Sequence, residues 1–105
     1  MGWHVEVLEA VEAELERWPR DVRAALVKIV ERIQAVGLER VHEPHVRHLE
    51  GKLWEMRPDA RGVEGRALYV TASGKRVVIV AAFVKKTRKT PRHMIELALE
   101  RAKGV

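Results

Sequence analysis

The chain contains no cysteine. That excludes a disulfide framework and thiolate ligands for zinc. It also lacks any apolar run near the roughly 20 residues of a membrane span. Its first residues, Met-Gly-Trp-His-Val-Glu, carry neither the basic stretch nor the long apolar segment of a signal peptide. A soluble, cytoplasmic protein without a membrane role is the expectation. The second half is poor in acids: residues 51–105 hold thirteen Lys/Arg against five Asp/Glu, a net +8, whereas residues 1–50 hold seven against ten, a net −3. The overall charge of +5 hides this segregation, which marks the second half as the side that meets an anion. What remains is ordinary. A hydrophobic content of 47% with 33% charged residues fits a folded chain, and 105 residues fit one domain, residues 1–105, with a modest core.

Periodicity gives the elements. Trp3, Val5 and Val7 alternate and predict a short opening strand. Val11, Leu15 and Trp18 then recur at spacings of four and three, a short amphipathic helix. Pro19 can open a second helix, since its missing N–H falls where donors are unpaired anyway. Val22, Leu26, Ile29, Ile33 and Val36 form its apolar stripe, and Gly37 ends it. Residues 38–46 read as a loop. Apolar segments follow at 46–49 and 53–56, with Gly51 at a bend or bulge, and 58–65 read as a turn. Segments 66–72 and 75–84 flank Ser73-Gly74 as a hairpin. The second of these is apolar throughout from Val77 to Val84, which predicts a central strand covered on both faces. Thr90 and Pro91 read as N-cap and first residue of a last helix, with Ile95, Ala98, Leu99 and Ala102 on its buried face. The predicted order is β-α-α-β-β-β-α.

The stretch FVKKTRKTPRHMIE, residues 83–96, is the most informative. Lys85, Lys86, Arg88, Lys89 and Arg92 crowd the junction between the central strand and the last helix, with no acid before Glu96. Cations near a helix N-terminus oppose its dipole. Unpaired backbone N–H groups in the same place favour an anion. Stability given up here points to a phosphate-bearing ligand that restores it.

LWEMR (residues 53–57), GRALYV (65–70), the aliphatic strand, FVKKTRKTP and IELALER together resemble the phage Gp49-like branch of the RelE/HigB toxin superfamily. The resemblance spans residues 46–103. It implies an α+β fold with two N-terminal helices packed on a twisted, mainly antiparallel sheet. It also implies a toxin of a type II toxin–antitoxin system, an endoribonuclease that cleaves mRNA, commonly on the ribosome. Its partner would be a cognate antitoxin with a helix-turn-helix DNA-binding domain. Arg66 matches an arginine of the ribonuclease members, Lys85 and Lys86 match a basic pair after the long strand, and Arg57 matches an arginine ending the earlier strand. Where members carry lysines in that earlier strand, this chain has Glu55, with Lys52 nearby. Where some use a tyrosine in the last segment, it has Arg92-His93. The related ParE group inhibits gyrase, so a binding module without nuclease activity, acting on a protein target or on nucleic acid, is the alternative.

RNA can be cut without a metal or cofactor, by attack of the 2′-hydroxyl on the adjacent phosphorus. One group must take a proton, another supply one, and cations must meet the growing negative charge. Arg66, whose planar fork can bind two phosphate oxygens, is assigned the last task. Arg57 or Lys86 would position the backbone. His93 is the catalytic candidate of a residue type that titrates near neutrality. Lys52, Lys85, Arg88, Lys89 and Arg92 are the RNA-binding candidates. His42, His45 and His48 invite a zinc reading by their spacing, but Pro44 breaks any helix that would align them, and the expectation is no metal. His45 or His48 beside the RNA path, and base stacking on Trp54, are the minority readings.

Overall fold

A computed structural model describes residues 2–105. The apolar alternation of 3–8 becomes β1 (His4–Val7), followed by α1 (Glu9–Glu16), α2 (Arg20–Val36) and a single 3-10 turn at Leu38–Arg40. Five strands come next: β2 (Val46–Glu50), β3 (Leu53–Met56), β4 (Asp59–Ala60), β5 (Val63–Ala72) and β6 (Arg76–Lys85). The chain closes with α3 (Arg92–Ala102). The strands form one sheet in the order β1-β6-β5-β3-β2, with β4 paired to the start of β5. All pairings are antiparallel except β1 on β6. The α+β architecture, three helices on a mainly antiparallel sheet, matches the expectation.

The sequence pattern and the structure part in three places. The 46–56 segment is a hairpin of two strands, with a register shift between His48 and Glu50. Residues 58–65 are more than a turn, because Asp59–Ala60 adds the short β4. That hairpin turns through Arg61 and Gly62, both at positive φ. α3 starts one residue later than read: Pro91 is its N-cap residue and Arg92 its first helical residue, with no side-chain cap. Thr90 does not cap the helix, because its hydroxyl bonds Glu55 Oε1 at 3.2 Å.

Alternation along β5 divides the core. Ala67 and Tyr69 face α1 and α2 together with Val11, Val22, Ile29, Ile33 and Met56. Leu68 and Val70 face the other way, toward Ile95, Ala98 and Ala102 of α3. β6 lies between β1 and β5, and Val77–Ala82 are buried, as a central strand requires. Beyond Ile79, however, β1 has ended and the outer edge of β6 needs other partners. Side chains from α1 and α3 supply them, through Glu14 and Arg101. The strand order and the sheet's α3 face together set the geometry of the basic residues.

Candidate functional site

Register places the candidate side chains. Arg66 pairs with Phe83, Glu64 with Lys85, and Leu68 with Glu55. Since Leu68 and Phe83 pack toward α3, Glu55, Glu64, Arg66 and Lys85 share that face. Arg57 follows the Met56–Ala67 pair and so lies level with Arg66.

Arg66 is fully buried. Its Nη1 donates to Asp59 Oδ1 at 2.8 Å and to the Gly65 carbonyl at 2.6 Å, and its Nη2 donates to Glu64 Oε1 at 2.8 Å. Its Nε has no hydrogen-bond partner among the described residues. A buried guanidinium needs such acceptors, because an unpaired interior charge is very costly. Glu64 and Asp59 each remain about half exposed, at 51% and 54% of side-chain area. Lys85 Nζ stands 4.0 Å from Glu64 Oε1. Lys86, Thr87 and Arg88 join Glu64 and Lys85 around an open depression of about 550 Å³. Thr87 donates its hydroxyl to the Lys89 carbonyl at 2.7 Å, which tightens this loop. Lys86, Arg88 and Lys89 lie on the surface.

The loop then crosses the sheet face. Thr90 reaches Glu55, a nearly buried carboxylate that also lies 3.6 Å from Arg57 Nε. Arg92 grips Glu50 at the end of β2 with two hydrogen bonds, at 2.6 and 2.9 Å, and touches Glu96 at 3.4 Å. Those bonds hold the Glu50 carboxyl below its ordinary range and raise Arg92. His93 is exposed on the first turn of α3 and makes no hydrogen bond among the described residues. Lys52 is exposed in the turn between β2 and β3.

The candidates therefore divide. Arg57, Arg66, Lys85, Lys86 and Arg88 gather at one end of the face. Arg92 is pinned toward the other end, on Glu50, with His93 beside it and Lys52 in the β2–β3 turn. The histidines of HEPHVRH do not converge. His42 and His48 border one cavity, of about 630 Å³, and His45 borders another. His48 packs edge-on against Trp54, with ring centroids 5.0 Å apart, and its Nε2 is 2.7 Å from the Gly51 carbonyl. Trp54 is 39% exposed, whereas Tyr69 is buried, which pushes its phenol pKa upward.

Sequence reading for positive charge missed the acids that organise the site, namely Glu55, Asp59 and Glu64. A signal was present. Glu64 and Arg66 are two apart in a strand, so they must share a face; Glu55 and Arg57 have the same spacing at the end of β3 and lie 3.6 Å apart.

Residues 13–103 match the model of the family described as Phage derived protein Gp49-like (DUF891). The chain belongs to that family. The match begins well before residue 46, so it includes the second half of α1 and all of α2. No curated protein sequence matches the chain. Among solved structures, the fold is similar to a mutant of the E. coli toxin RelE in the free state, with a TM-score of 0.68 and 19% identity over 96% of this chain and 98% of that one. The Mycobacterium tuberculosis toxin–antitoxin complex RelBE2 gives a TM-score of 0.58 at 18% identity, over 81% of this chain and 100% of that one. The Pyrococcus horikoshii RelE–RelB complex gives 0.58 at 22%, over 79% and 94%. At these identities the likeness establishes a shared RelE-like fold. No helix among the described residues is long and apolar enough to cross a membrane.

Proposed function

We propose that this Gp49-like protein is the toxin of a type II toxin–antitoxin pair and cleaves RNA by attack of the 2′-hydroxyl. One observation carries the reading. Lys85, Lys86 and Arg88 surround a depression that also holds a carboxylate, Glu64, and a fully buried arginine fixes that carboxylate from behind. Phosphate oxygens would lie against Lys86 and Arg88, whose charges oppose the added negative charge of the transition state. Glu64 is the base: it accepts the 2′-hydroxyl proton as the new O–P bond forms. The P–O5′ bond breaks, and the Lys86 ammonium returns a proton to the leaving oxygen. Arg66 holds Glu64 in position through Nη2, with Asp59 holding the other nitrogen.

One of the solved neighbours is described as a toxin–antitoxin complex and another as a RelE–RelB complex, and the basic loop suits the same arrangement. An acidic antitoxin segment laid across Lys85–Lys89 would neutralise the site. The proposed setting is the cytoplasm, with mRNA on the ribosome as substrate.

The burial of Arg66 favours a second reading. Its described hydrogen bonds are all to protein acceptors, and no part of it reaches solvent. That suits a RelE-fold binding module in which the arginine is structural and no bond is cut. Adding the purified protein to a translation extract and mapping RNA 5′ ends separates the two. Discrete new ends, absent with Glu64→Gln, support the nuclease. Arrested translation or growth with intact RNA supports the binding module.

A further inference from the structure

A second cavity, of about 540 Å³, opens between α2 and the segment joining β3 to β4. Lys28 and Arg32 line it from α2, His45 and Arg57 from the strand side, and Asp59 closes one end. Three features of its chemistry agree. Lys28 and Arg32 are exposed and make no ion pair or hydrogen bond among the described residues. Their i,i+4 spacing sets like charges side by side, which weakens a helix by a few tenths of a kcal/mol. Arg57 brings a third cation whose buried Nε has no hydrogen-bond acceptor; Glu55 at 3.6 Å is too far to be one. The one acid on the lining, Asp59, is already engaged by Arg66.

This cavity is connected to the depression around Lys86. Asp59, on its lining, accepts from Arg66 Nη1, Arg66 Nη2 donates to Glu64, and Glu64 lines the depression beside Lys85 and Lys86. A chain of alternating charges thus runs through the buried arginine from one anion-favouring hollow to the other. Phosphates repeat along a nucleic-acid strand, so one strand can meet cations at more than one place.

We propose that the cavity lined by Lys28, Arg32, His45 and Arg57 holds a backbone phosphate of the RNA strand, a different one from the phosphate held at Lys86 and Arg88. This rests on the RNA reading above. The cations at Lys28 and Arg32 supply affinity without base specificity, and Arg57 adds positive charge at the cavity's strand side.

The test uses the full chain and a single-stranded oligodeoxynucleotide, which lacks the attacking 2′-hydroxyl and therefore reports binding alone. Affinity is measured against salt concentration. For single strands each neutralised phosphate contributes a slope of about −0.7 in log K against log salt. Lys28→Gln with Arg32→Gln removes the cations that hold this one phosphate and is expected to flatten the slope by about 0.7. Neither side chain holds the fold, so circular dichroism and melting stay as in the parent. Lys86→Gln with Arg88→Gln, measured in parallel, is expected to flatten it similarly. If only the second pair changes the slope, the cavity proposal is overturned while the RNA reading stands. If neither pair does, both fail. Titration with inorganic phosphate, followed by the amide resonances of residues 28–32, identifies the remaining outcome: a response to free phosphate with an unchanged oligonucleotide slope makes the cavity a small-anion site and also overturns the proposal.

Discussion

Glu14 of α1 and Arg101 of α3 meet across the exposed edge of β6. Arg101 Nη2 lies 2.9 Å from Glu14 Oε2, while Arg101 Nη1 donates to the Val80 carbonyl at 3.0 Å and Glu14 Oε1 accepts from the Ala82 N–H at 3.0 Å. β1 leaves this edge unpaired after Ile79, and an unpaired strand edge invites association with other chains. Two side chains from helices on opposite faces of the sheet close it. Both are mostly buried, so breaking the pair strands a charge and a backbone donor together. Glu14→Ala is expected to cost about 2–4 kcal/mol in urea unfolding. Glu14→Gln keeps an acceptor for Ala82 and is expected to cost about half as much. Equal losses in the two variants would show that the backbone bond contributes nothing.

Gly65 carries a different constraint. A Cβ there would sit 2.6 Å from Val22 Cγ1, 2.9 Å from the Pro58 carbonyl and 3.0 Å from the Trp18 ring. The absence of a side chain lets α2 approach β5 at the position next to Arg66. Gly65→Ala forces the helix or the Pro58 turn to move, and a loss of about 1–3 kcal/mol is expected. Because Asp59 follows that turn, the Arg66–Asp59 bond should loosen too. Thermal unfolding together with the Arg66 side-chain NMR signals checks both effects. An unchanged melting temperature would mean that this contact is not close-packed.

Much of the fold was legible because its elements obey simple periods. The stripe from Val22 to Ile33 gave α2, the apolar run from Val77 gave a central strand, and Ser73-Gly74 gave the hairpin. β4 was not legible, since two residues carry no period and its pairing depends on where β5 begins. The start of α3 was misplaced by one residue because Thr90 has two acceptable bonds. The cap it was assigned competes with Glu55, which is brought near only by the sheet. At the site, the loop cations could be read as an anion-facing group from charge alone. The engagement of Arg92 by Glu50 could not, because those residues lie 42 apart in the chain. Nor could the burial of Arg66, which depends on β4 presenting Asp59.

That Arg92–Glu50 clamp makes a prediction about acid. Its hydrogen bonds and charge hold the Glu50 carboxyl below the ordinary glutamate range. A carboxyl whose pKa is lowered by folding stabilises above its unfolded value, about 4.3, and loses that contribution as pH falls through the folded value. The start of α3 should therefore stay closed at neutral pH and fray below about pH 4. Hydrogen exchange of the amides at 94–96, corrected for intrinsic rates, is expected to quicken over that window in the parent. In Glu50→Gln it should already be faster at pH 7. The same exchange at both pH values in the parent would remove the clamp from the account of how the basic loop is held.

The roles given to Glu64 and Arg66 differ enough to be separated by kinetics. If Glu64 takes the 2′-hydroxyl proton, Glu64→Gln should lower the cleavage rate by about 10²–10⁴ while leaving oligonucleotide affinity equal or higher, since a negative charge beside the phosphate is gone. Arg66→Lys keeps the buried charge but loses the fork that grips Glu64 and Asp59 at once. It should lower the rate less and also lower the melting temperature. A rate loss in Glu64→Gln that merely follows a loss of binding would place Glu64 with the groups that shape the depression and leave the proton acceptor to another residue. His93 is then the next side chain to change, and its exposed place on α3 lets His93→Gln report on chemistry without disturbing the core.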